Sequence, residues 1–160
     1  MVIIAVAGGT SPTLGRSIVS AIAQTKNTPV ILTRQSPNAP RSQYGAEVRQ
    51  VDYTNHKSLV EAVQGVHTVI SVLKIPGPEW STYQINLLNA AKTAGVKRFA
   101  PSEFENGPLA DGKVDILGLK PIVWKECEAS GLECARFSGG MYVQYENASL
   151  NATHRPYPGS

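Results

Sequence analysis

Short apolar runs alternate along the chain with segments in which apolar residues recur at helical spacing. Residues 2–6 are almost wholly apolar and lead into glycines, a pattern typical of a strand covered on both faces in a parallel sheet. From Leu14 to Ala23 the spacing is helical, so the chain begins as a strand, a glycine-rich turn and a helix. The same alternation predicts later strands at 30–33, 47–51, 68–73, 96–100 and 132–137, and later helices at 58–64, 80–94 and 119–129.

This alternation of strand and helix predicts an α/β fold with a doubly wound parallel sheet between two layers of helices, which is the Rossmann arrangement. Right-handed crossovers place the ligand crevice at the carboxyl ends of the strands, where the two neighbours of the first strand diverge. Residues 1–146 are predicted to form this one domain. Residues 147–160 show no periodicity and are predicted to be a C-terminal loop or tail.

Composition and charge exclude several classes of protein. The net charge of +3 comes from scattered basic residues, so nucleic-acid binding is not expected. The longest apolar run is far shorter than the roughly 20 residues of a membrane span, and no signal-peptide pattern surrounds it, so we predict a cytoplasmic protein with no membrane partner. Cys127 and Cys134 do not have the spacing of metal ligands and are expected to be reduced core thiols; no metal site is predicted.

The glycine-rich turn between the first strand and the first helix is the first candidate site. A dinucleotide pyrophosphate needs a tight turn, a backbone without Cβ atoms and the N-terminus of a helix. The spacing is that of Gly-x-x-x-Gly-x-Gly with a threonine in the middle position, and an ordinary strand-to-helix turn remains the alternative. The predicted phosphate-binding residues are Gly9, Thr10, Ser11, Thr13, Leu14 and Gly15.

The end of the second strand predicts which nucleotide is preferred. NAD-specific folds place an acidic residue there on the ribose 2′-hydroxyl, but Thr33 is followed by Arg34 and, two residues later, by Ser36. The guanidinium can pair with a 2′-phosphate and the serine can add a hydroxyl, which favours NADP(H) over NAD(H). A solvated arginine is the alternative. After the third strand, Asp52 and Tyr53 are predicted to cap the adenine unless Asp52 only begins a turn.

Longer segments carry a resemblance to a known family. They are Val51 to Tyr53, Val69 to Leu73, the Asn86 to Ala91 segment after Gln84, and above all Ala94 to Phe104. With these motifs, residues 2–146 resemble the NmrA-like and isoflavone-reductase-like group of atypical short-chain dehydrogenases. The resemblance implies an NAD(P)-binding domain that uses NADPH and, in active members, reduction of small, often aromatic or conjugated, metabolites.

The resemblance also implies a catalytic lysine. Lys120, at the start of the helix after the Pro-Ser-Glu-Phe segment, matches a family lysine that acts as acid/base and contacts the nicotinamide ribose. Ile116 replaces the tyrosine of the usual Tyr-x-x-x-Lys pair. Lysine has an ordinary pKa of about 10.4, so this role needs partial burial or a neighbouring positive charge, and a surface lysine is the alternative. Lys74 follows the fourth strand in a loop that lies close to the ribose phosphates in related folds, so it is predicted to contact the cofactor. A solvated lysine is the alternative.

Residues after the fifth and sixth strands are expected at the rim of the crevice. Ser102 and Glu103 can contact nicotinamide or substrate, although Glu103 can instead cap a helix or pair with Lys97 or Arg98. Residues 137–141 resemble the family segment that lines the nicotinamide pocket, with Tyr142 and Tyr145 as nearby polar aromatics. Core packing is the alternative for Phe137 and Met141.

Members of the group run to about twice this length and close a small C-terminal lobe over the substrate, so most walls of such a pocket are expected to be missing here. A homodimer or another protein partner can complete the pocket. The sequence therefore predicts an NADPH-dependent reductase of a small, conjugated or aromatic secondary metabolite. Two alternatives stay open: a non-catalytic NADP(H)-binding regulator that senses redox state, and a non-redox cyclase or isomerase on the same scaffold.

Overall fold

The computed structural model describes residues 1–12, 14–35, 44–104 and 119–137. Strands and helices alternate through these ranges. The strands are β1 (Ile3–Ala7), β2 (Thr28–Thr33), β3 (Glu47–Gln50), β4 (Thr68–Ser71), β5 (Arg98–Ala100) and β6 (Glu133–Cys134). The helices are α1 (Leu14–Ala23), α2 (His56–Ala62), α3 (Glu79–Thr93) and α4 (Lys120–Ala129).

The six strands form one sheet in the order β3-β2-β1-β4-β5-β6, and every neighbouring pair is parallel. In the register of β1 with its two neighbours, Val6 lies opposite Ile31 on β2 and Ile70 on β4. The order reverses between β1 and β4, which is the switch point where ligands bind in open parallel sheets. The predicted doubly wound α/β fold is confirmed.

Each face of the sheet packs against its own helices. Val6 and Ile31 pack with α1 residues Val19 and Ile22 on one face. On the other face the core is larger, and it takes in buried residues of α2, α3 and α4 together with strand residues such as Phe99. Helices on both faces explain why the inner strands are apolar throughout rather than alternating.

Element boundaries differ from the predicted ones by a few residues. Helix α2 begins at His56, two residues early, because the side chain of Asn55 accepts a hydrogen bond from the Ser58 N–H at 3.1 Å and caps the helix. Strand β2 begins before Pro29, which a strand tolerates near its start. Strand β6 has two residues instead of six.

Some predicted features lie outside the described residues. These are Thr13 and Ser36 of the predicted cofactor site, residues 138–141 of the predicted nicotinamide pocket with the nearby Tyr142 and Tyr145, and the domain limit at residue 146. Within the described ranges, no helix is long and apolar enough to cross a membrane.

Candidate functional site

The candidate residues lie at one edge of the sheet. Because all six strands are parallel, their carboxyl ends share that edge. The glycine-rich turn follows β1, Arg34 follows β2, Lys74 lies shortly after β4 and Ser102 shortly after β5. The sheet therefore brings together residues that are far apart in sequence.

The glycine-rich turn is tightly hydrogen-bonded. Gly8 has a φ of +81°, which favours glycine, and its N–H donates to the Leu32 carbonyl at 3.2 Å. The N–H of Ser11 donates to the Gly8 carbonyl at 3.0 Å. Thr10 is exposed at the turn, whereas Ser11 and Leu14 are half-buried. Leu14 packs against the core on the α1 face.

Gly9 and Gly15 are both buried, and each occupies a position without room for a side chain. A Cβ on Gly15 would overlap the Gly8 carbonyl oxygen, and a Cβ on Gly9 would lie 3.1 Å from the Val6 carbonyl oxygen and from Val19 Cγ2. The glycines thus allow α1 to pack closely against the end of β1. This close packing is enough to explain both glycines in an ordinary strand-to-helix turn. Phosphate binding by the same backbone stays a prediction.

Beyond β2, an open pocket of about 390 Å³ lies between the ends of β2 and β3. It is lined by Arg34, Gln50, Val51, Asp52 and Ser58. The Thr33 side chain is buried and accepts a hydrogen bond from the Gln35 N–H at 3.2 Å, and Gln50 donates to the Arg34 carbonyl at 3.4 Å. Arg34 itself is exposed. These two hydrogen bonds hold the backbone of Arg34 and Gln35, and the exposed Arg34 lines the pocket.

Asp52 begins a turn, which was the alternative to capping the adenine. Its Oδ1 accepts hydrogen bonds from the Thr54 N–H at 2.8 Å and the Thr54 hydroxyl at 2.7 Å. These bonds, the side-chain one first, lower the pKa of Asp52 below its ordinary value.

Tyr53 is not placed to cap an adenine. Its side chain is 2% exposed and its ring stacks on Tyr83 of α3 with a centroid distance of 5.7 Å. Burial raises the pKa of Tyr53, and the charge of Arg34 opposes that rise. An adenine cannot reach this ring face while Tyr53 stays in the core, so the prediction for Tyr53 is not supported by its position.

The carbonyl of Leu73, just beyond β4, anchors two neighbouring segments. It accepts hydrogen bonds from Trp80 Nε1 at 3.0 Å and from the Ser102 hydroxyl at 3.2 Å. Ser102 is half-buried, and Lys74, the next residue after Leu73, is exposed. The loop after β4 is therefore tied to α3 and to the end of β5.

Lys120 is the first residue of α4 and is 5% exposed. With Val123 and Cys127 it forms the buried stripe of the helix, at the spacing of a face turned toward the sheet. The surface-lysine alternative is therefore wrong. The burial that an acid/base role needs is present.

Glu103 is fully buried and pairs with a residue that the sequence did not indicate. Its Oε2 accepts from Arg136 Nη2 at 3.0 Å and Nε at 3.1 Å. Pairing with Lys97 or Arg98 was the alternative for Glu103. Arg98 instead pairs with Glu133 at 2.6 Å, because the register of β5 and β6 places those two side by side.

The Cys127 thiol on α4 is also buried. Burial first, then the thiol of Cys134, and then the carboxylate of Glu103 raise the pKa of Cys127. Both cysteines are free, Cys127 buried and Cys134 half-buried. The predicted core position holds for Cys127, whereas Cys134 is only partly buried.

Two phenylalanines stack at the same edge, after β5 and β6. Phe104 and Phe137 have ring centroids 5.6 Å apart and ring planes inclined by 4°. Phe137 is 49% exposed, so the core-packing alternative for this residue is wrong.

Sequence reasoning also missed a buried amide on α3. Gln84 is fully buried on the face that carries Leu87 and Leu88, and neither atom of its amide has a hydrogen-bond partner among the described residues. Ser71, at the end of β4, is likewise buried with an unpartnered hydroxyl in this part of the chain. Buried polar groups without partners are rare in proteins.

Replacing Gln84 by leucine is expected to raise the free energy of unfolding by about 1–2 kcal/mol, because an unpaired buried amide keeps its desolvation cost. Urea unfolding measures the change. The matched control is Gln64→Leu at an exposed position, where no gain is expected. A destabilised Gln84→Leu protein would contradict the prediction.

The chain is similar in sequence to known oxidoreductases. The NmrA-like family model matches residues 2–154. Oxidoreductase BOA1 of Botryotinia fuckeliana (strain B05.10) is 35% identical over 154 residues, which cover 91% of this chain and 50% of that protein.

Solved structures share the fold. The structure of AtPrR2 with NADP+ and (+)pinoresinol has a TM-score of 0.78 and 26% identity, covering 99% of this chain and 56% of that one. The NADPH-dependent quinone oxidoreductase QOR2 from Escherichia coli has a TM-score of 0.75 and 27% identity, covering 93% and 51%. The chain spans about half the length of these relatives. Because the family model matches almost its whole length, the chain belongs to the NmrA-like family.

Proposed function

We propose that the chain binds NADP(H) and takes part in the reduction of a small conjugated or aromatic metabolite. The observation that carries the proposal is Arg34, exposed at a pocket beside β2, on the same sheet edge as the glycine-rich turn. A planar guanidinium suits the 2′-phosphate that distinguishes NADP(H) from NAD(H). The carboxylate in the same pocket, Asp52, already accepts two hydrogen bonds from Thr54 through one oxygen.

The residues fit the cofactor at its other end as well. The turn around Gly9 and Gly15 leaves backbone without Cβ atoms at the start of α1, as a pyrophosphate requires. Lys74 and Ser102 lie at the strand ends that follow the switch point, on the side where a ribose and nicotinamide would extend. We propose that all of these cofactor-binding residues belong to one NAD(P)-binding domain, residues 1–146.

NADPH supplies a hydride when bound. In the proposed reaction Lys120 Nζ would bind the nicotinamide ribose and would hold the proton that the reduced substrate takes up. Its burial at the start of α4 keeps that amine away from bulk water.

The relatives support the reductase over the regulator and the cyclase. BOA1 is named as an oxidoreductase, QOR2 as an NADPH-dependent quinone oxidoreductase, and the AtPrR2 structure holds both NADP+ and pinoresinol. We propose the same kind of substrate for this chain, a conjugated or aromatic molecule. A second copy or another protein partner is proposed to complete the pocket, and light scattering of the purified protein measures self-association.

Titration of the protein fluorescence with NADPH and NADH tests the proposal. Arg34→Ala is expected to weaken NADPH binding by about 10–100-fold, the effect of losing charge-assisted hydrogen bonds, while NADH binding changes little. The matched control is Arg98→Ala, because Arg98 is exposed and begins β5 at the opposite edge of the sheet. If the wild-type protein binds neither nucleotide, the proposed function is wrong.

Turnover is tested by following NADPH absorbance with two probes, pinoresinol and 1,4-benzoquinone. NADPH binding without consumption of either probe would favour the regulator. Conversion of a probe without NADPH would favour the non-redox enzyme.

A further inference from the structure

Arg136 joins three elements at the carboxyl edge. It follows β6, donates two hydrogen bonds to the buried carboxylate of Glu103 beyond β5, and lies over the indole ring of Trp124 on α4 at 5.4 Å. Arg136 is 14% exposed in its side chain, and Glu103 is 0% exposed. A cation that is largely withdrawn from water interacts strongly with both an anion and an aromatic face.

The first turn of α4 is weakly held by its own backbone. Leu119 caps the helix without a side-chain hydrogen bond to the first N–H groups of α4. The hydrogen bond from the Val123 N–H to the Leu119 carbonyl is 3.4 Å long. Tertiary contacts must therefore fix this turn.

Trp124 connects Arg136 to Lys120. The two α4 residues are one helical turn apart, so their side chains are neighbours along the helix. Trp124 Nε1 also donates to Glu128 at 2.8 Å, which fixes the indole from the other side. Glu103 is linked to the same helix through Arg136, which bonds its carboxylate and lies over Trp124.

We propose that Arg136 is a positioning residue that clamps the first turn of α4, through Trp124 and Glu103, and so holds Lys120 at the sheet edge. The kinetic consequence rests on the proposed function. The structural consequence, an ordered first turn, does not depend on it.

Backbone hydrogen exchange of α4 tests the clamp directly. In Arg136→Met the Val123 amide, which donates to the Leu119 carbonyl, is expected to exchange about tenfold faster than in the wild type, because the stacked cation is lost. Arg136→Lys keeps the charge but not the planar stack or the fork, so partial protection is expected. The matched control is Arg98→Met, which breaks an exposed Arg–Glu pair between β5 and β6 and should leave α4 unchanged.

Arg136→Met leaves Glu103 as a buried carboxylate without this partner and can fail to fold. Trp124→Leu removes the ring and leaves the Glu103–Arg136 pair intact, and the same faster exchange is expected. Unchanged exchange of the first turn in both folded variants would overturn the proposal.

Kinetics with NADPH and 1,4-benzoquinone separate positioning from simple stability. Misplacement of Lys120 should lower kcat by about 10–100-fold and raise the KM for NADPH by at most about tenfold. Faster exchange with kcat within about twofold of the wild type would overturn the positioning role. If the wild type binds no NADPH, the proposed function fails while hydrogen exchange still decides on the clamp.

Discussion

Replacing Lys120 by methionine is expected to lower kcat for NADPH oxidation by about 10²–10⁴-fold, the usual contribution of a general acid or base, and to weaken NADPH binding by about tenfold because the proposed ribose contact is lost. Methionine has a similar length and suits a buried position, so the helix stripe formed with Val123 and Cys127 is kept. What is lost is an amine able to hold a proton at the sheet edge. Initial rates with pinoresinol and 1,4-benzoquinone measure the loss, and fluorescence titration measures NADPH affinity.

Lys125 provides the control on the same helix. It is exposed and lies on the solvent side of α4, so Lys125→Met should leave kcat unchanged. Equal losses in the two variants would point to a general effect of charge or folding. Full activity of Lys120→Met would remove Lys120 from the proposed reaction.

Replacing Gly15 by alanine is expected to abolish measurable NADPH binding and to lower the free energy of unfolding by about 1–3 kcal/mol, the usual cost of overpacking. The added Cβ would overlap the Gly8 carbonyl oxygen and lie 3.1 Å from Gly9 Cα. Both neighbours are backbone atoms, which cannot move aside as a flexible side chain can. The glycine-rich turn must therefore shift, and the predicted phosphate site shifts with it.

Gly65→Ala separates stability from binding. Gly65 has a φ of +73° and open space around its Cβ position, so alanine there costs about 1–2 kcal/mol of backbone strain without a clash. Urea unfolding should show a loss in both variants, and NADPH titration should show a loss only in Gly15→Ala. Wild-type affinity in a folded Gly15→Ala protein would mean that the turn does not bind the cofactor.

The fold was predictable because its signals are local. Apolar runs such as residues 2–6 mark strands buried on both faces, and the change to helical spacing after the glycines marks α1. Boundaries depended on single side chains, as with Asn55 at the start of α2. The burial of Lys120 also had a signal, its spacing with Val123 and Cys127, but one polar residue at the start of a helix is ordinarily exposed.

The partners of Glu103 and Tyr53 were not predictable in the same way. Glu103 and Arg136 are 33 residues apart, and only the order of β5 and β6 brings their strand ends together. Tyr53 follows a strand at the crevice, where a surface position was a reasonable expectation. Its burial results from the packing of α3 through Tyr83, which no local pattern contains.

The carbonyl of Leu73 limits what the sheet edge can recognise. An amide oxygen has two lone pairs, and here Trp80 and Ser102 donate to the same oxygen. The Gly8 carbonyl and Asp52 Oδ1 also accept hydrogen bonds from the protein itself. With both lone pairs of the Leu73 oxygen engaged, a ligand hydroxyl or amino group finds no acceptor at this position, and a ligand there must be held through other groups.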